Sequence, residues 1–216
     1  MARRRRVRET FGVTDPAPIL PSPLKPLTGA EPFIDGTVAD FWRWALSDLR
    51  MNLARGYLVE YLVARALNDP APARVEWGPW DVQAADGTLV EIKACGRLQS
   101  WTTRKLSTPA WTFKSVRADR VWSDTVGDYL PVDPASRVHV WVFALQTAED
   151  PASYDPLDVD QWQFRVMPHR ELLVAGQTSA GLSFFDARGV QAVGYSDLAD
   201  AVRDARQRND EMAAVA

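Results

Sequence analysis

Two carboxylates and a lysine stand close together in the segment Trp80-Asp81-Val82-Gln83-Ala84-Ala85-Asp86-Gly87-Thr88-Leu89-Val90-Glu91-Ile92-Lys93. The apolar residues on either side of Ala85-Asp86-Gly87 predict a β-hairpin with a three-residue loop, a type I turn ending in a left-handed glycine. That loop pairs Ala84 with Thr88, Val82 with Val90 and Asp81 with Glu91. The period of two along a strand brings Lys93 to the same sheet face, while Val82, Val90 and Ile92 point to the other. A two-residue loop, Asp86-Gly87 alone, would set Asp81 against Ile92 and scatter the group. The reading therefore stands on register.

Facing carboxylates repel and raise each other's pKa unless a cation intervenes. A hard divalent ion resolves the conflict: Mg²⁺, with Mn²⁺ as a substitute, takes one or two carboxylates and completes its shell with water and phosphate oxygens. Such an ion polarises a phosphoryl group and acidifies a water. Lys93 beside it could orient or deprotonate that water, or stabilise negative charge developing on the phosphate. The same three residues would also suit the solvated face of an amphipathic hairpin.

A fourth acid precedes the hairpin. Asn52–Leu67, NLARGYLVEYLVARAL, has helical composition with Asn52 as N-cap. At 100° per residue, Glu60 lies about 140° from both Arg55 and Arg65, so it projects away from the charged stripe. A carboxylate on a buried helix face needs a partner or a metal. A hydrogen bond from a tyrosine hydroxyl or a backbone N–H would serve as well.

An inward Glu on a helix (Glu60), an acid at a strand end (Asp81) and Glu91-x-Lys93 on the next strand together resemble the PD-(D/E)XK, or restriction-endonuclease-like, nuclease superfamily. The run Val90-Glu91-Ile92-Lys93-Ala94 followed by Leu98-Gln99-Ser100-Trp101, with Asp155-Pro156-Leu157-Asp158 and Gln161-Trp162-Gln163-Phe164 later, is similar to small bacterial members of that superfamily. The resemblance spans roughly residues 37 to 200, and only the hairpin is specific. It implies an α/β fold with a mixed sheet of at least four strands flanked by helices. It further implies Asp81 and Glu91 as metal ligands, Lys93 as catalytic lysine and Glu60 as supporting acid. One departure is plain: Trp80 precedes the acid where the name-giving Pro would stand, and Pro79 is one residue earlier. Members that have lost activity imply a second reading, a non-cleaving nucleic-acid-binding or assembly module.

The chain of 216 residues, 46% hydrophobic, can bury one substantial core. The lone Cys95 excludes a disulfide framework and fits a reduced, cytoplasmic setting. No apolar run reaches the length of a membrane span. Arg3 to Arg6 and Arg8 lead into Glu9 and prolines instead of an apolar signal segment. Residues 1–35, with Pro16, Pro18, Pro21, Pro23, Pro26 and Pro32, read as a disordered or polyproline arm, and residues 36–216 as a single nuclease-like domain.

Within that domain, Thr37 caps a helix carrying Phe41, Trp42 and Leu46. Arg74–Trp77 comes next before the hairpin. Arg137–Gln146 reads as a central strand buried on both faces, Gln161–Met167 as a half-buried strand, and Leu182–Asp186 as a further short strand. Ser196 caps a final helix through Leu198, Val202 and Ala205.

Net charge is −3, but basic residues cluster between positions 93 and 122. Lys93, Arg97, Arg104, Lys105, Lys114, Arg117 and Arg120 face one acid, Asp119, and are interleaved with Trp101, Trp111, Phe113 and Trp122. Arginines and lysines at that density can track a phosphate backbone, with rings for stacking on bases. Arg97, Arg104, Lys105, Lys114 and Arg117, with Gln99, are the expected contacts to DNA, RNA not being excluded. A core role for the tryptophans and a solvated role for the cations is the plainer alternative. Cleavage of both duplex strands would favour a homodimer. His139 reads as a hydrogen-bonded core histidine, and no zinc spacing, phosphate loop or nucleophile elbow assembles. Asp155, Asp158 and Asp160 read as turn and capping residues.

Overall fold

The computed structural model describes residues 36–68, 71, 73, 74, 78–101, 105–123 and 125–215. The arm 1–35, residues 75–77 of the Arg74–Trp77 segment, and Arg104 lie outside them. Helix α1 (Val38–Leu46) opens on Thr37, whose hydroxyl accepts from the Asp40 N–H while the Asp40 carboxylate accepts from the Thr37 N–H. Thr37 caps the helix as expected, and Asp40 makes the cap reciprocal. None of the α1 side chains is buried, and Phe41, Trp42 and Trp44 are exposed.

Helix α2 (Asn52–Leu67) follows, with Met51 at the N-cap and no side-chain cap. Asn52 thus begins the helix instead of capping it. Two strands, β1 (Val82–Gln83) and β2 (Leu89–Gly96), form the hairpin. A long crossover carries β3 (Ala110–Thr112), a 3₁₀ turn (Lys114–Arg117), the ribbon β4 (Arg120–Ser123) and β5 (Asp128–Pro131), and a 3₁₀ turn (Pro134–Ser136). Strands β6 (Val140–Gln146) and β7 (Trp162–Pro168) come next. Then follow α3 (His169–Ala175), β8 (Ser179–Gly181), α4 (Leu182–Asp186) and α5 (Leu198–Val215).

The fold is mixed α/β. A four-stranded mixed sheet runs β1-β2-β6-β7, antiparallel at both ends and parallel between β2 and β6. Strand β6 is buried along its whole length, as its unbroken apolar run requires. One sheet face presents Val82, Val90, Ile92, Val142 and Phe164 to α2 and α5. The other presents Trp141, Phe143, Leu145 and Met167 to β3, α3 and α4.

Three expectations need correction. Leu182–Asp186 is not a strand but a short helix that places Phe184 and Phe185 in the aromatic core. The neighbouring strand is Ser179–Gly181, paired with β3. Strand β7 is not half-buried: only Gln163 is exposed, since both faces are covered. Ser196 lies in a 3₁₀ turn (Tyr195–Asp197) that leads into α5 at Leu198, and Asp155 and Asp158 accept from backbone N–H groups of the turns they begin.

Candidate active site

The hairpin register is the one a three-residue loop dictates. Val82 pairs with Val90, Gln83 with Leu89, and the Ala84 N–H donates to the Thr88 carbonyl at 2.9 Å. Gly87 supplies the left-handed residue at φ 84°, and the Asp86 carboxylate accepts from the Thr88 N–H at 2.9 Å. Asp81, just before the paired residues, donates its N–H to the Val90 carbonyl at 3.0 Å, and its carboxylate lies beside the Glu91 carboxylate and the Lys93 ammonium. Lys93 Nζ donates to Glu91 Oε1 at 2.9 Å and lies 4.0 Å from Asp81 Oδ2. The three side chains meet on the aromatic face, where Lys93 Nζ sits 5.6 Å above the centre of Trp141.

The two acids have different surroundings. Glu91 is buried and fully engaged: Lys93 and the Ser115 hydroxyl (3.0 Å) donate to Oε1, and Arg137 donates to Oε2 at 3.0 Å. Burial works to raise its pKa, but Lys93 and Arg137 outweigh it and hold the carboxyl below its ordinary value. Asp81 accepts one close bond, from the Ile92 N–H at 2.6 Å, and stays partly open to solvent. Burial first, and then the Glu91 charge, push its carboxyl up to about 6 against the opposing pull of Lys93. Asp81 is the acid whose charge is poorly balanced.

Glu60 sits half-buried on α2, as an inward-leaning acid should, but its partner is neither a tyrosine hydroxyl nor a backbone N–H. Arg74 holds it at 2.5 Å and stacks over the Tyr57 ring at 4.6 Å. Glu60 still adds to the negative field at Asp81. Arg55, expected on the solvated stripe, is instead 2% exposed and donates to the carbonyls of Arg50 (2.6 Å) and Leu98 (2.7 Å). A helical angle cannot reveal the Leu98 carbonyl, 43 residues away. The guanidinium lies so close to Gly96 that a Cβ there would approach its Cζ to 3.0 Å.

The expected nucleic-acid contacts divide. Lys114 and Lys105 are exposed. Arg97 is half-buried and pairs with Glu149 at 3.3 Å. Gln99 donates to the Gly96 carbonyl at 2.8 Å and faces Arg55, and Arg117 donates to Gly176 at the end of α3. Both carry structural bonds. Among the interleaved rings, Trp111 and Phe113 are core residues, 2% and 1% exposed; Trp101 is exposed, and Trp122 packs edge-on against Tyr129 at 5.4 Å.

Ser115 and Arg137 went unnoticed in the sequence. The 3₁₀ turn Lys114–Arg117 buries Val116 and so aims Ser115 at Glu91. Arg137, which ends the 3₁₀ turn before β6 instead of opening the strand as expected, is a charge next to an apolar run and is the signal that could have revealed an internal acid. The histidines are structural. His139 Nδ1 accepts from the Leu89 N–H and Arg206, and burial with Arg206 pushes it down to about 4. Half-buried Cys95 is pushed up to about 12 by desolvation, an unreactive thiol.

Among the described residues no group of three or more His, Cys, Asp or Glu side chains is gathered as for a metal ion. The donor set fits a hard divalent cation held chiefly by Asp81, whose Oδ1 accepts no hydrogen bond from the described residues and whose charge is poorly balanced, with Glu91 beside it and water to complete the shell. Among the described residues no helix is long and apolar enough to cross a membrane. Comparison with protein-family models, with curated proteins and with solved structures gives no match to this chain.

Proposed function

We propose that this protein is a metal-dependent nuclease of the PD-(D/E)XK type that hydrolyses DNA phosphodiester bonds. The observation that carries the reading is the meeting of Asp81, Glu91 and Lys93 on one face, with Asp81 strained electrostatically and partly open. Mg²⁺ bound there would supply Lewis acidity toward a phosphate oxygen and acidify a water. Asp81 would hold the ion through its uncommitted oxygen, and Glu91 would share it while fixing Lys93. The Lys93 ammonium, tethered 2.9 Å from Glu91, can swing its remaining hydrogens toward a phosphate and stabilise charge as it develops. Glu60 reinforces the field from the helix side, and exposed Lys114 extends the positive surface next to Ser115.

Plasmid, single-stranded DNA and RNA incubated with Mg²⁺ or Mn²⁺ test the reading. Lys93→Ala is expected to lower cleavage by about 10²–10³-fold, and Asp81→Ala by at least as much. Equal inertness of the parent protein and both variants on every substrate would remove it. One observation favours the non-cleaving alternative: Arg137 already neutralises Glu91 from within. Salt-sensitive DNA binding that survives Asp81→Ala, without cleavage, would select that alternative.

A further inference from the structure

Strand β1 consists of two paired residues, so the backbone ladder gives the Asp81 end of the hairpin little hold. Past Val82 the described bonds are Asp81 N–H to the Val90 carbonyl and Ile92 N–H to Asp81 Oδ2. Arg137 supplies another. A single guanidinium nitrogen, NH1, donates to the Pro79 carbonyl at 2.7 Å and to Glu91 Oε2 at 3.0 Å. Pro79 stands two residues before Asp81, and the Glu91 carboxylate lies beside that of Asp81. One nitrogen therefore ties the loop carrying the first acid to the second acid itself.

The rest of Arg137 argues that this span is its role. The residue is 7% exposed, and Nε and NH2 are buried without an acceptor among the described residues. Such a guanidinium costs more to bury than an apolar side chain of the same size. The site is nevertheless built to hold it. Its Cζ lies 5.8 Å from the centre of Trp141, and the preceding turn is anchored where His169 Nε2 meets the Pro134 carbonyl at 2.6 Å.

We propose that Arg137 is the positioning residue of the Asp81–Glu91 pair, setting the separation of the two acids by joining the Pro79 carbonyl to the Glu91 carboxylate. The consequence for metal binding rests on the nuclease reading; the joining does not. The Ile92 amide reports on it directly, because its acceptor is the Asp81 carboxylate. In folded Arg137→Met, hydrogen exchange at Ile92 is expected to accelerate about tenfold while the Val142 amide keeps its rate. Arg137→Lys keeps the charge but is one bond shorter and lacks the planar fork, so a smaller selective rise is expected. Mn²⁺ binding to the parent protein, followed by water proton relaxation, tests the nuclease reading separately.

An unchanged Ile92 amide, or one that moves only in step with Val142, overturns the proposal. If the Met variant does not fold, the Lys variant decides alone: a selective rise at Ile92 supports the proposal and no rise overturns it. A selective rise at Ile92 in a protein that binds no Mn²⁺ supports the positioning role and removes the nuclease reading instead.

Discussion

The two faces of the four-stranded sheet solve different problems. The face under α2 and α5 is almost entirely aliphatic, with Val90, Ile92, Val142 and Val166 meeting Val59, Val63, Leu198 and Val202. Its stability is mainly dispersive and hydrophobic, and the buried charge of Arg55 lies at its margin, against Gly96 at the end of β2. The opposite face carries Glu91, Lys93 and Arg137 among tryptophan and phenylalanine. There the rings offer electron-rich surfaces to two cations, and the cations hold a buried carboxylate ionised. One face stabilises the fold, and the other spends part of that stability on keeping charges in place.

The contrast can be broken by substitution. Phe164→Ala on the aliphatic face should cost about 3–5 kcal/mol, with the same loss in urea melts at pH 5 and pH 8. Glu91→Gln on the charged face should cost about 3 kcal/mol at pH 8, because Arg137 is then buried without its counter-charge. The Glu91 pKa is depressed on folding, so its contribution is present above the unfolded value of 4.5 and lost as pH falls through the lower folded one. The Glu91→Gln penalty should accordingly shrink in melts below pH 4.5; a penalty independent of pH would show that the ion pairing does not matter.

Asp81 runs the other way and sharpens the comparison. Its pKa is raised to about 6 from 3.8, so the folded state binds the extra proton and stability declines as pH rises between those values. Asp81→Asn keeps an acceptor for the Ile92 N–H and removes the charge. In EDTA at pH 7–8 it should stabilise the protein by about 1–2 kcal/mol, a gain that fades on acidification from pH 6 to pH 3.8. No gain at pH 8 would mean that Asp81 is better compensated than its surroundings indicate.

Much of the charged face was legible because its logic is local. Loop length determines register in a hairpin, and register determines which side chains meet, so Asp81, Glu91 and Lys93 followed from 14 consecutive residues. Strand β6 was legible for a similar reason: only a strand covered on both sides tolerates such a run. What escaped was long-range. Ser115 and Arg137 reach Glu91 from 24 and 46 residues away, and nothing in their own segments names that acid. Arg55 was misjudged for the same reason, since the carbonyl of Leu98 becomes its neighbour only once β2 packs on α2. Gln99 and Arg117 looked free for phosphate because a sequence does not show which polar tips the fold itself uses.

The Trp141–His169–Pro134 chain has one more implication. The indole N–H donates to His169 Nδ1 at 2.8 Å, which leaves Nε2 to carry the ring's proton toward the Pro134 carbonyl. Every bond in that chain points the same way, and burial holds the imidazole below its ordinary pKa. It has no vacancy for a second proton and cannot relay one. The interior on the Trp141 side of Glu91 therefore offers the acid pair no histidine relay, while the contact of Glu91 with Lys93, and through Lys93 with Asp81, leads toward solvent.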